Sequence, residues 1–111
     1  MIPQTPPDAK APDAKAPNDC HTMPEVRAGV DALDRELVML LARRFAYMRA
    51  AARIKPKRAM VRDEARKAAV IGAARAEAQR LGAPDERIAA LWEALVENSI
   101  AYELEQWDAK L

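Results

Sequence analysis

Apolar side chains recur at alternating spacings of four and three residues through the first half of the chain, in the order Val26, Val30, Leu33, Leu37 and Leu40. This spacing is typical of one face of an α-helix. Thr22 and Glu25 form a capping box, and Pro24 lies in the first turn, where its missing N–H costs nothing. Good helix formers fill the run, and no further proline occurs before Pro56. The pattern predicts one uninterrupted helix over residues 24–55.

The length of this helix bears on assembly. Roughly 32 residues at ~1.5 Å each span about 48 Å, which is longer than a small domain is wide. The five apolar residues above, called the apolar seam below, therefore need more cover than one copy of the chain is expected to provide.

Two shorter helices follow the first. Asp63 is a suitable N-cap for a helix over 64–81, and Gly82 is a suitable stop. Pro84 opens a third helix that runs to about residue 109. Its predicted inward face consists of Ile88, Leu91, Trp92, Leu95, Val96 and Ile100. No stretch alternates with period two, so the sequence predicts an all-α fold with three helices in one domain, residues 23–111.

Residues 1–22 have a different composition, because they repeat PDAKA and contain most of the prolines. We expect a disordered Pro/Ala-rich tail that acts as a linker, in preference to a tail that binds a partner. Cys20 and His21 are the lone Cys and His of the chain, so they predict neither a disulfide nor a zinc site. No apolar run predicts a secretory signal or a membrane span, and a cytoplasmic location is expected by default.

Positive charge is locally concentrated, although the formal net charge is only +1. Between positions 43 and 67, ten basic residues oppose Asp63 and Glu64: Arg43, Arg44, Arg49, Arg53, Lys55, Lys57, Arg58, Arg62, Arg66 and Lys67. Such a run is compatible with a solvated helix face and loop, or with a helical module that binds a polyanion. The nearby aromatic residues, Phe45 and Tyr47, lie on predicted core stripes, so a nucleic-acid partner is not expected.

Two charged residues occupy unusual positions. Arg44 lies where the seam predicts another apolar residue, and burying a guanidinium is costly unless it meets an anion. Lys55, eleven residues later, differs from it by only about 20° around the helix. Arg27 is rotated by roughly 100° and lies about 25 Å away, so it can serve only another site, such as one in a second copy. Ser99 and Glu103 project from one side of the third helix, and Glu103 adjoins its apolar stripe.

The order of these features resembles the all-helical chorismate mutases and their relatives, the isochorismate–pyruvate lyases. The matching features are an Arg near the start of a long first helix, Leu-Ala-Arg-Arg at 41–44, Lys55, Val61-Arg62-Asp63 with Arg66, Leu91-Trp92, and Glu-Asn-Ser-Ile at 97–100. The resemblance covers about 25–107. It implies an intertwined homodimer in which the long first helices pair and each site receives one Arg from the partner.

The resemblance also implies a small-molecule dicarboxylate substrate, chorismate or isochorismate, and no cofactor or metal. It assigns catalytic roles to Arg44, Lys55 and Glu103, and substrate-binding roles to Arg27 (from the partner chain), Arg66, Ser99 and Asp63. These residue types suit a pericyclic reaction. Arg binds carboxylates through two parallel hydrogen bonds, and Lys can donate to the ether oxygen as its C–O bond breaks.

Two positions depart from the usual family pattern. Glu103 stands where many members have Gln, and a carboxylate would repel charge that develops on the ether oxygen. Glu103 can donate a hydrogen bond only when protonated, which apolar surroundings favour and nearby cations oppose. Lys67 stands where an acid often receives the ring hydroxyl, which leaves Glu64 or Asp63 as substitutes.

Three functions follow in order of preference. Chorismate mutase comes first, because Ser99 and Val61-Arg62-Asp63 look like the mutases. An isochorismate–pyruvate lyase comes second, because Arg43, Arg44, Tyr47 and Trp107 resemble the lyases, and one protein could have both activities. A helical polyanion-binding module without enzymatic activity comes third.

Overall fold

The computed structural model of the chain describes residues 14–110, which form three α-helices. These are α1 (Met23–Ile54), α2 (Glu64–Arg80) and α3 (Asp85–Ala109), with short 3-10 helices at Pro17–Asp19 and Arg58–Met60. Within this described range there is no β-strand. The prediction of an all-α chain with a very long first helix is confirmed.

The helix ends form as the sequence predicts. At the start of α1, the Glu25 N–H donates to Thr22 Oγ1 (3.3 Å) and the Thr22 N–H donates to Glu25 Oε1 (3.0 Å). At the start of α2, Asp63 Oδ1 accepts a hydrogen bond from the Arg66 N–H at 3.0 Å. After α2, Gly82 has φ of 71°, a left-handed conformation that costs glycine little because it lacks a Cβ.

Within residues 14–110, the chain divides between Arg44 and Phe45 into two compact units, called the first and second unit below, and α1 contributes to both. In the first unit, the apolar seam of α1 is exposed in the single chain, from 39% at Val26 to 53% at Leu37. Charged side chains are stable in water, but an apolar stripe of this length is unusual on the surface of a single protein chain.

The structure describes the last residues of the predicted tail, 14–22, which belong to the first unit. An apolar groove of the first unit is lined by four of these residues, Ala14, Lys15, Pro17 and Cys20, together with Val26, Val30 and Leu33 of α1. Lys15 forms an ion pair with Glu25 and, with the His21 N–H, lowers the pKa of Glu25 to about 2. Residues 1–13 lie outside the described residues, and the disorder of the tail stays a prediction.

The second unit has a small hydrophobic core built by α2, α3 and the α1–α2 loop (residues 55–63). Val61, Val96 and Ile100 are buried at its centre, and Val70, Ile71, Leu104 and Trp107 pack around them. The buried face of α3 comprises Ala89, Val96, Ser99, Ile100 and Glu103.

One residue of the predicted inward face of α3 lies elsewhere. Leu91 is 62% exposed in the single chain, so its prediction as a core residue is wrong for this unit. Leu91 lies five positions before Val96, which places it about 140° around the helix from that buried residue. The spacing of apolar residues led us to assign residues from two sides of α3 to one inward face.

Candidate active site

The centre of the candidate site is an ion pair between Lys55 and Glu103 in the second unit. Lys55 directly follows α1, and its N–H donates to the Ala51 carbonyl at 2.9 Å, which continues the helical hydrogen bonding. Its Nζ donates to Glu103 Oε2 at 2.7 Å. Glu103 is only 4% exposed, whereas 29% of the Lys55 side chain remains exposed. An ammonium has three donors, so Lys55 retains donors for an additional anion.

Ser99 lies one turn before Glu103 on the buried face of α3, as their four-residue spacing predicts. Its hydroxyl donates to the Leu95 carbonyl within the same helix, at 2.7 Å. The hydroxyl oxygen of a serine keeps acceptor capacity while it donates. Ser99 and Glu103 therefore present two polar groups on an otherwise apolar face.

Asp63 and Arg66 occupy the start of α2. The Asp63 carboxylate caps this helix by accepting from the Arg66 N–H, and both residues are exposed. The structure thus gives Asp63 a helix-capping role, and its substrate-binding role stays a prediction. The Arg66 guanidinium projects from an exposed position in the first turn of α2.

Lys67 forms ion pairs with two carboxylates of α3. Its Nζ lies 2.7 Å from both Glu93 Oε1 and Glu97 Oε2. Arg62 binds the same Glu97 through two nitrogens, at 2.8 and 3.1 Å, and also contacts Glu64 Oε1 at 2.9 Å. We call these five residues the ionic cluster. Spacing along α3 could have suggested the Glu93–Glu97 pair, but not its cations.

The ionic cluster has clear electrostatic consequences. Hydrogen bonds from Arg62 and then Lys67 lower the pKa of Glu97 to about 2. Glu93 and Glu97 in turn raise the pKa of Lys67. Glu97 lies about 160° around α3 from Ser99. The two ion pairs thus hold Lys67 on a different side of α3 from the side that carries Ser99.

The two predicted arginines of α1 belong to the first unit. Arg27 lies on an exposed position in the second turn of the helix. Arg44 is half-buried and engaged in an interaction. A half-buried guanidinium on a helix is consistent with the unusual position that the sequence assigned to it.

The basic run between positions 43 and 67 does not form a surface of unpaired cations that would suit a polyanion. Several of its cations form ion pairs with carboxylates of α3 or of the start of α2, among them Lys55, Arg58, Arg62 and Lys67. Cations that are already neutralised contribute little to binding a phosphate backbone. The pairing instead ties the α1–α2 loop and α2 to α3.

These features define the class of the protein: an all-helical chain in which the half-buried ammonium of Lys55, directly after α1, pairs with the buried carboxylate of Glu103 in the last third of α3. No helix within residues 14–110 is both long and apolar enough to cross a lipid bilayer.

Comparison with known proteins specifies the family. The family described as chorismate mutase type II matches residues 26–104, which is most of the chain. The chain belongs to the chorismate mutase type II family, and this membership supports an enzyme that acts on chorismate-like substrates. The chain is also similar to a Pseudomonas aeruginosa protein named isochorismate pyruvate lyase. The two are 28% identical over 93 residues, which cover 84% of this chain and 92% of that protein.

Proposed function

We propose that the protein is a chorismate mutase, which rearranges chorismate to prephenate. The observation that carries the proposal is the Lys55 ammonium held 2.7 Å from buried Glu103, on the face of α3 that also carries Ser99. An ammonium with remaining donors, in partly dry surroundings, is suited to an anionic substrate whose ether oxygen gains negative charge.

The chemistry requires little from the protein beyond geometry and charge. In the rearrangement, the C–O bond of the ether breaks and a C–C bond forms within the same molecule. The reaction needs no nucleophile and no co-reactant. Catalysis then comes from holding the two reacting arms together and from donors placed at the ether oxygen.

Each predicted residue has a proposed role. Lys55 donates to the ether oxygen and to a carboxylate, and Glu103 faces the same oxygen. Arg44 and, across a dimer, Arg27 of the partner subunit bind the substrate carboxylates. Two further residues, Arg66 and Ser99, help position a carboxylate, while Asp63 or Glu64 is placed to receive the ring hydroxyl.

The exposed apolar seam supports the proposed homodimer. Its five residues are 39–53% exposed in the single chain, although they form one continuous stripe. Pairing α1 with α1 of a second copy would bury this stripe. At roughly 25 cal/mol per Å² of apolar surface, such burial strongly favours association. A soluble protein seldom leaves a stripe of this length exposed.

An isochorismate–pyruvate lyase is the second candidate, and the similarity to the Pseudomonas aeruginosa protein of that name favours it. In that reaction the ether C–O bond breaks while a ring hydrogen moves to the departing three-carbon unit, giving salicylate and pyruvate. It is also a unimolecular reaction of an anionic substrate. The same ammonium and guanidinium groups would therefore serve both reactions.

A direct assay of the purified protein with each substrate separately tests the proposal. We expect prephenate from chorismate, at a higher kcat/KM than salicylate plus pyruvate from isochorismate. Efficient release of salicylate would assign the protein to the lyases instead. If the folded protein converts neither substrate, both functions are wrong.

A further inference from the structure

The C-terminal turn of α3 contacts the backbone of Lys55. Trp107 Nε1 donates to the Lys55 carbonyl at 3.4 Å, and Lys110 Nζ donates to the same oxygen at 3.1 Å. Lys110 Nζ also donates to the Ala52 carbonyl at 2.8 Å and lies 4.7 Å from the centroid of the Trp107 ring. We call Trp107 and Lys110 the C-terminal clasp.

These contacts satisfy groups that a helix end leaves without partners. The last carbonyls of α1 have no amide of the next turn to accept from, and Pro56 cannot extend the helix. A cation at this end also interacts favourably with the helix dipole. The clasp therefore holds the end of α1 in place next to Lys55, whose ammonium is the proposed catalytic donor.

The clasp itself has a fixed position. Trp107 packs against the hydrophobic core of the second unit. One residue further, Asp108 binds Arg58 of the α1–α2 loop through two hydrogen bonds, at 2.8 and 3.1 Å. The end of α3 thus holds the loop at two points, and one of them is the Lys55 carbonyl.

We propose that Trp107 and Lys110 are positioning residues for catalysis, which hold the Lys55 backbone so that its ammonium stays at Glu103. This inference rests on the proposed function of Lys55. The exposed side chain of Lys110 bonds to backbone carbonyls, so it acts through Lys55 and not on the substrate. A helix end without such contacts frays, and a displaced donor loses much of its effect on the reacting atoms.

The first test compares Lys110→Met with Lys57→Met. Both remove an exposed lysine of the second unit, but within residues 14–110 the Lys57 side chain makes no hydrogen bond and no ion pair. We expect kcat of Lys110→Met to fall about tenfold with KM changed less than twofold. Lys57→Met should match the wild type, and Lys110→Arg should restore most of kcat, because it returns a cationic donor. Trp107→Phe, which keeps an aromatic ring in the core but loses the N–H, should lower kcat in the same direction.

A double-mutant cycle separates positioning from general stability. In a Lys55→Met background there is no ammonium to position, so Lys110→Met should lower the residual kcat by less than twofold. A full tenfold loss in that background would overturn the proposal. Unchanged kcat in both Lys110→Met and Trp107→Phe would overturn it as well.

Hydrogen exchange tests the clasp without using activity. Amides of residue 55 and residues 57–60 should exchange at least severalfold faster in Lys110→Met than in Lys57→Met. If the wild-type protein converts neither substrate but this difference appears, the proposed function fails while the clasp is supported as a structural contact. If the wild type is active and the exchange rates are equal, the clasp is wrong and the proposed function stands.

Discussion

Replacing Glu103 by Gln is the most informative single change in the site. The carboxylate is 4% exposed and accepts from Lys55 Nζ at 2.7 Å, so the change removes a buried charge without changing the side-chain size. Its effect on stability is small, because burying a carboxylate costs much of what the ion pair gains and the amide keeps an acceptor for Lys55. We expect the free energy of unfolding to fall by about 1 kcal/mol.

Glu103→Gln should change activity more than stability, and it should raise kcat/KM although it lowers the free energy of unfolding. An ionised Glu103 repels negative charge on the ether oxygen, whereas the Gln amide donates a hydrogen bond at every pH. One well-placed donor to a developing oxyanion contributes roughly 10²–10³-fold in rate, and Lys55 already supplies part of that stabilisation. We expect kcat/KM of Glu103→Gln at pH 8 to exceed that of the wild type by on the order of tenfold.

Two measurements check the prediction. Rates are measured as loss of chorismate, and stability by urea unfolding. Glu105→Gln, an exposed position two residues later on α3, is the matched control. A folded Glu103→Gln enzyme less active than the wild type at pH 8 would refute the reasoning.

Two other predictions concern stability and assembly. Because Arg62 and Lys67 lower the pKa of Glu97 from its usual 4.5 to about 2, the ionic cluster should stabilise the fold fully above about pH 4.5 and lose this effect as the pH falls toward 2. Urea unfolding at pH 6 and pH 3 should show a smaller loss for Glu97→Gln than for the wild type, and equal losses would contradict it. Leu37→Glu places a charge on the apolar seam and should shift sedimentation equilibrium toward monomer, whereas Leu81→Glu, at an exposed leucine after α2, should not. A dimer that survives Leu37→Glu unchanged would argue against pairing through the seam.

Local signals explain why the helices could be predicted from the sequence. The Thr22–Glu25 capping box, the Asp63 N-cap and Gly82 each act within a few residues, and the structure forms all three. Such contacts depend on chain neighbours and not on the fold. The four-residue spacing of Ser99 and Glu103 likewise predicted that they share one face of α3.

Long-range contacts explain what the sequence could not predict. The resemblance led us to expect an acid at position 67, but this position carries a lysine whose partners are carboxylates of another helix, about 30 residues later. The contact of Lys110 with the Lys55 carbonyl joins residues 55 positions apart. Periodicity predicts which face a side chain occupies, but which partner it meets there depends on helix packing. Leu91 shows the same limit, because spacing alone did not separate the two faces of α3.

The central claim is that the Lys55 ammonium, held beside Glu103, is the main catalytic donor. The most direct test is kcat/KM of Lys55→Met on whichever substrate the wild type prefers, with Lys57→Met as the matched control in the same loop. We expect Lys55→Met to lose roughly 10²–10³-fold while Lys57→Met keeps wild-type activity. A folded Lys55→Met protein with activity within a few fold of the wild type would contradict the claim.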